Sequence, residues 1–111
     1  MSDRDNELLL LDMLESAEKI QPYTTNLNFG EFLEQEMVLD AVARNFEIIG
    51  EAANRISADF KIKNPNIEWM RMTGLRNRIN HHYFGIDHEI MWTIIQENIA
   101  HLIDDIKNLP K

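Results

Sequence analysis

Between Met91 and Leu109 apolar side chains recur at three- and four-residue steps: Met91, Ile94, Ile95, Ile99, Leu102, Ile103, Ile106 and Leu109, with Asn98 the polar member of the series. This spacing lines one face of an α-helix; a strand would place side chains on one face at every second residue. The same steps appear in Val38, Val42, Phe46, Ile49, Ala53 and Ile56, and in Leu10, Met13, Leu14, Ala17 and Ile20. Only four glycines and three prolines occur in 111 residues, so little interrupts these runs, and nothing reads as a strand. The expected architecture is all-α: an antiparallel up-down bundle of four main helices plus a short extra helix. At this length residues 1–111 make one domain with a real core and no room for a second.

The boundaries follow from local chemistry. A first helix should run from about Asp3 to about Gln21 and be closed by Pro22. Leu8 and Leu11 fall off its apolar stripe and could cover a neighbouring chain. Asn28 is a suitable N-cap for a short helix through Phe29, Phe32 and Leu33. A longer helix covers roughly 36–57, and Gly50 within it costs about 1 kcal/mol against Ala unless a close helix crossing requires it. Residues 59–65 read as a loop, Pro65-Asn66 introduces a helix over roughly 66–83, and Gly85 suits a reversal just past its end. Asp87 caps a last helix from about His88 to Asn108.

Composition then narrows the function. The formal net charge is −8, which opposes a global basic field for coating nucleic acid. The charge is segregated, however. From Lys61 to Tyr83 there are five cations (Lys61, Lys63, Arg71, Arg76, Arg78) against the single acid Glu68, a net +4 on a body of −12. Such a stretch suits one focused anion site. Without cysteine there is neither a disulfide framework nor a thiolate zinc site. The longest leucine run, Leu8 to Leu11, is far too short to span a bilayer, and the acidic start lacks a signal-peptide pattern, so a cytoplasmic chain with no membrane partner is expected.

Within the basic stretch, Arg76-Asn77-Arg78-Ile79-Asn80-His81-His82-Tyr83 brings a fixed cation, a titratable imidazole and a phenol together. On a continuous helix, with Arg76 at zero, Met72, Leu75 and Ile79 cluster between about 260° and about 320° as the core face. Tyr83 then falls at about 340°, Asn80 at about 40°, Asn77 at about 100° and His81 at about 140°, forming a polar arc beside that face. Arg78 and His82 fall on its other side. The angle of about 140° between Arg76 and His81 holds them at opposite edges of a cleft, so two copies meeting across a two-fold axis would complete one composite pocket. The chemistry that fits is attack of an RNA 2'-hydroxyl on its adjacent phosphate. His81 moves the proton, Arg76 stabilises charge on the phosphoryl oxygens, and Asn77 supports them. Asn80 and Arg78 are candidate RNA phosphate contacts. A helix C-terminus would favour the imidazolium form of His81. No metal or cofactor is called for, because His81 and His82 would point about 100° apart on a helix.

Arg76, four residues, His81, one residue and Tyr83 form an Arg-x4-His-x-Tyr pattern that resembles the motif of HEPN-domain proteins of the HepT-like type. The segments Arg44-Asn45-Phe46-Glu47-Ile48-Ile49-Gly50-Glu51-Ala52 and Tyr83-Phe84-Gly85-Ile86-Asp87 are similar to the same family. The resemblance implies a helical bundle that forms a homodimer with its motifs facing each other. It also implies a metal-independent endoribonuclease that is the toxin of a type VII-like toxin–antitoxin pair. The implied partners are an RNA substrate and a minimal nucleotidyltransferase antitoxin, with higher assembly between the two proteins. By the same resemblance the active residues are Arg76, His81 and Asn77, and Tyr83 is the tyrosine that the antitoxin adenylylates. A rival reading is a non-catalytic helical module that binds a substrate or nucleotide for such a nucleotidyltransferase.

Overall fold

The computed structural model describes residues 3–81 and 85–109, in chain order α1 (Asp3–Thr24), α2 (Phe29–Glu34), α3 (Glu36–Arg55), α4 (Ala58–Lys63), α5 (Trp69–Thr73), α6 (Leu75–Ile79), β1 (Asn80–His81), β2 (Gly85–Ile86), α7 (His88–Glu97) and α8 (Ile99–Lys107). The architecture is the expected helical bundle, with one two-residue antiparallel ladder added. α1 packs mainly along α3 and also along α8, while α3 also packs against α5 and α6. Met13, Ala17 and Ile20 of α1 and Val42, Phe46, Ile49 and Ala53 of α3 are fully enclosed between them. Burying one such Ile, Phe or Met side chain is worth about 1.5–3 kcal/mol, which is why the apolar stripes fix these two helices against each other.

Two details of that packing explain particular residues. At Gly50 an added Cβ would lie 3.4 Å from the Met72 carbonyl oxygen and 3.9 Å from Leu75 Cβ. The anticipated close crossing is therefore between α3 and the α5–α6 segment, which carries the basic motif. Just past the C-terminus of α3, buried Asn6 donates from Nδ2 to Ser57 Oγ and accepts from Ser57 N–H, both at 3.1 Å, tying α1 to the turn before α4. Ser57 Oγ also accepts from Phe60 N–H and so caps α4.

Several helix limits differ from those read in the sequence. α1 continues through Pro22 to Thr24. A proline removes only its own N–H, and near the helix end the other carbonyls find hydroxyl partners: Thr24 Oγ1 donates to Ile20 O at 3.0 Å and Thr25 Oγ1 to Gln21 O at 2.6 Å. Residues 58–63 are helix and not loop, started by the Ser57 cap. The helix expected over 66–83 is two short helices broken at Gly74, and it ends at Ile79. The last helix is divided at Asn98, although Asn98 N–H still donates to Ile94 O and Leu102 N–H to Asn98 O, both at 2.9 Å. The hydrogen-bond ladder thus passes through, and Met91, Ile94, Ile95, Ile99, Leu102, Ile103 and Ile106 stay on one buried face.

Elsewhere the local signals were sufficient. Asn28 and Glu31 form a reciprocal capping box on α2, with Glu31 N–H to Asn28 Oδ1 at 2.8 Å and Asn28 N–H to Glu31 Oε1 at 3.0 Å. Among the described residues no helix is long and apolar enough to cross a membrane.

Candidate active site

The basic motif begins on α6, whose position is set by its two ends. Leu75 and Ile79, four residues apart, are both buried and anchor the helix to α3 and α7. The three residues between them are Arg76, Asn77 and Arg78. Asn77, opposite the anchors on the helical wheel, is exposed, and so is Arg78. Gly74 separates α6 from α5 with φ −89° and ψ 1°, and a Cβ there would meet Met70 O at 3.1 Å. Arg78 N–H nevertheless donates to Gly74 O at 2.9 Å, so the turn bearing the motif is helical from its first residue.

α6 stops at Ile79 because the chain folds back. The Ile79 carbonyl accepts from the Asp87 N–H instead of an amide further along a helix. Asn80 pairs with Ile86 and His81 with Gly85 in antiparallel register. Asp87 then caps α7, its Oδ1 accepting from Ile90 N–H at 3.0 Å. Asp87 therefore closes the base of the segment 80–86 from both sides: its backbone ends α6 and its carboxylate begins α7. Removing such a cap typically costs about 1 kcal/mol. Asp87→Ala is expected to lower stability by that amount in urea unfolding, and Asp87→Ser, which can still cap, to recover most of it.

This fold-back corrects the wheel. Asn80 and His81 are in extended backbone, which does not advance by about 100° per residue as a helix does, so the helical angles assigned to them relative to Arg76 do not apply. Gly85 belongs to β2 and not to a helix C-terminal reversal. The helix dipole also has less hold on His81 than a long helix would give: α6 has five residues, and its last carbonyl is already paired with Asp87 N–H. What survives is the relation of Arg76, Asn77 and Arg78 to the buried pair Leu75 and Ile79. The side chains of Arg76, Asn80 and His81, and the whole of His82 and Tyr83, lie outside the described residues.

The charge of the stretch is more local than its sum suggests. Arg71 Nε lies 2.8 Å from Glu68 Oε2, so one cation and the only acid of the stretch neutralise each other. Lys61 and Lys63 belong to the last turn of α4. Within the motif the fixed positive charge belongs to Arg76 and Arg78, which flank exposed Asn77 in sequence on one short helix. A small cavity of about 40 Å³ lies between α5 and α8, lined by Glu68, Met72, Asn98, His101, Leu102 and Asp105. None of the candidate residues lines it, and its two carboxylates would repel a phosphate. The residues that sequence reasoning missed are those that shape the fold-back: Ile79 through its carbonyl, Gly85 and Ile86 through the ladder, and Asp87 as the clasp. The cap signal at Asp87 was readable, but two-residue strands are too short to show any alternation.

Comparison with known proteins places this geometry in a family. The profile of ribonuclease HepT-like proteins matches residues 13–109, which contain all the elements from mid-α1 to the C-terminus of α8. A candidate RNase of Methanocaldococcus jannaschii is 41% identical over 107 residues, covering 96% of this chain and 98% of its own length. A probable ribonuclease HepT of Thermococcus cleftensis is 36% identical over 108 residues, covering 97% of this chain and 98% of its own. A second M. jannaschii candidate RNase is 37% identical over 111 residues, covering 100% of this chain and 92% of its own. No solved structure matches. The chain belongs to the HepT-like ribonuclease family.

Proposed function

We propose that this chain is a metal-independent endoribonuclease toxin, working in the cytoplasm as a dimer whose two motifs share one pocket. The observation that carries the reading is the Arg76-x4-His81-x-Tyr83 motif at the junction where α6 ends and the chain folds back, on a chain matched by the HepT-like profile over 13–109. Arg76 and Asn77 leave a rigid, core-anchored helical turn, while His81 follows in the paired strand β1. The two proposed functional residues thus belong to separate consecutive elements, α6 and β1. A site on such elements positions a phosphate and a proton carrier more closely than a free loop would.

The chemistry is an internal transfer. The RNA 2'-hydroxyl oxygen bonds to the adjacent phosphorus, its proton passing to an imidazole base. The bond from phosphorus to the 5'-oxygen breaks, and that oxygen leaves with a proton from an imidazolium acid. Arg76 lies against the phosphoryl oxygens as charge builds on them, and Asn77 orients the phosphate. Asn80 and Arg78 contact flanking phosphates. In the dimer one His81 serves as base and its symmetry mate as acid, so neither chain needs both protonation states at once. Arg76 and His81 are the catalytic residues in this scheme.

The regulatory half of the reading rests on Tyr83 and a minimal nucleotidyltransferase antitoxin, the partner that the resemblance implies. Adenylylation of Tyr83 would put bulk and negative charge beside the arginine site and exclude RNA. The direct test of the catalytic half is product chemistry. Purified chain in excess chelator should cleave unstructured RNA and leave 2',3'-cyclic phosphate ends. Absence of cleavage would return the chain to the non-catalytic partner role, and 5'-phosphate products would show a hydrolytic route that this scheme excludes.

A further inference from the structure

We infer that the Trp92 indole, held by Phe29 and Phe32, is a stacking platform for one base of the bound RNA. The inference rests on the RNA reading above, but on none of its bond-breaking chemistry. The need for such a contact comes from charge. A chain of net charge −8 draws little affinity from a general attraction to phosphates, and Arg44, Arg71 and Lys107 are each taken up by an acid of their own chain. A contact that carries no charge is therefore required. Every base has a π-face, and stacking it on an aromatic side chain supplies that contact whatever the sequence.

The two tryptophans differ in what they do for the fold. Trp69 is buried, its ring meets Phe60 edge-on at 6.2 Å, and its indole N–H donates to Asn64 O at 2.9 Å. Both its apolar and its polar parts are used inside the chain. Trp92 is only half-buried, with its ring 4.9 Å from that of fully buried Phe32 and 6.0 Å from that of half-buried Phe29. A tryptophan serving the core alone normally pairs its N–H. Among the described residues the Trp92 N–H has no acceptor, and no enclosed side-chain polar atom lacks a partner, so this N–H reaches solvent. Phe29 is fixed in turn, as the first residue of α2 inside the Asn28–Glu31 capping box. The indole is thus a held ring with one wet edge.

Its place in the fold points to the ligand. α7 begins next to Asp87, whose N–H holds the Ile79 carbonyl at the end of α6. Trp92 follows Asp87 by five residues, about 7.5 Å along the helix axis, the length of about two stacked nucleotides. The platform is therefore a short step from the corner that bears the motif. On the same side of α7, half-buried His88 stands one turn before Trp92 and exposed Gln96 one turn after it. The acids of the two helices lie mostly elsewhere: Glu31 and Glu34 are about 140° or more from Phe29, and Glu97 about 140° from Trp92, while Glu89 comes within about 60°. Neither α2 nor α7 contains Lys or Arg. With one acid near and no cation, this side suits an uncharged base and not a phosphate.

The probe is a single-stranded RNA with every 2'-hydroxyl methylated, which removes the attacking group and separates binding from cleavage. By anisotropy of a dye on that RNA, Trp92→Leu should weaken binding at least about fivefold, the lower end for one stacked base, whereas Trp92→Phe keeps a π-face and should lose about twofold at most. With the unaltered chain, removing single bases in turn should cost the same factor at one position. That abasic RNA should cost Trp92→Leu nothing further, a coupling that a merely structural tryptophan would not show. Indole fluorescence of the unaltered chain gives a readout that needs no variant: the intact RNA should quench it, and the RNA abasic at that position should not. Additive losses, or a Trp92→Leu chain that binds as wild type, would overturn the platform and leave this side to a protein partner. No binding by the wild-type chain would overturn the platform and the RNA reading together. Coupled losses with no cleavage of unmethylated RNA would support the platform and remove the proposed chemistry alone.

Discussion

Replacing His81 with alanine is expected to lower RNA cleavage by about 10²- to 10⁴-fold, the range over which a positioned proton carrier contributes. Arg76→Ala should cost about 10²- to 10³-fold through lost stabilisation of the phosphoryl oxygens. Each factor of ten corresponds to about 1.4 kcal/mol of barrier. The two losses should differ in kind. Arg76→Lys keeps the charge but loses the planar two-toothed grip, so it should recover only part of the rate. No charged substitute can stand in for an imidazole that must exist in both protonation states at neutral pH. Arg78→Ala, at a position proposed to touch a flanking phosphate, should raise KM and flatten the salt dependence by about one phosphate contact, with a much smaller effect on kcat. Arg78 is exposed, and the core anchoring of α6 falls to Leu75 and Ile79, both buried. Single-turnover cleavage beside urea unfolding therefore separates chemistry from stability. Full cleavage by His81→Ala or by Arg76→Ala would remove the mechanism.

The bundle was legible because burial writes a long periodic signal. The stripes of α1 and α3, the N-cap at Asn28 and the cap at Asp87 each depend on residues close in sequence, and each appears where its chemistry called for it. The site was legible only in its residue types. Met72, Leu75 and Ile79 keep helical spacing across Gly74, because the chain direction persists through that break and all three remain buried. A wheel drawn from their spacing cannot detect that the helix ends at Ile79. The ending is decided by a contact eight residues later, Asp87 N–H on the Ile79 carbonyl, and by a ladder of two residue pairs. Such contacts leave almost no pattern in sequence. The consequence for function is specific: a wide angle around one helix axis no longer describes how Arg76 and His81 are separated. The composite pocket stands instead on the family resemblance and on the corner between α6 and β1.

The same correction alters the case for Tyr83. On a continuous helix Tyr83 would share a face with Arg76, seven residues earlier, but the helix stops at Ile79. Proximity now follows from covalent reach: two residues along any chain span at most about 7 Å, so the Tyr83 Cα is tethered within that distance of the His81 Cα. An adenylyl group on the phenol would then be within reach of the proposed proton carrier. In forming it, the phenolic oxygen attacks the α-phosphorus of ATP, pyrophosphate leaves, and the phenolic proton passes to a base or to water. The product adds a phosphodiester anion and an adenosine where an RNA phosphate should sit. Tyr83→Phe removes the phenolic oxygen proposed to accept the group and changes neither Arg76 nor His81. Cells expressing Tyr83→Phe with the nucleotidyltransferase should thus stop growing as if the antitoxin were absent, while the wild-type chain is neutralised and gains one or more AMP masses on the Tyr83 peptide. Purified Tyr83→Phe should still cleave RNA, which separates loss of the switch from loss of the enzyme. Rescue of growth equal to wild type would mean that neutralisation runs through binding alone and would remove Tyr83 from the switch.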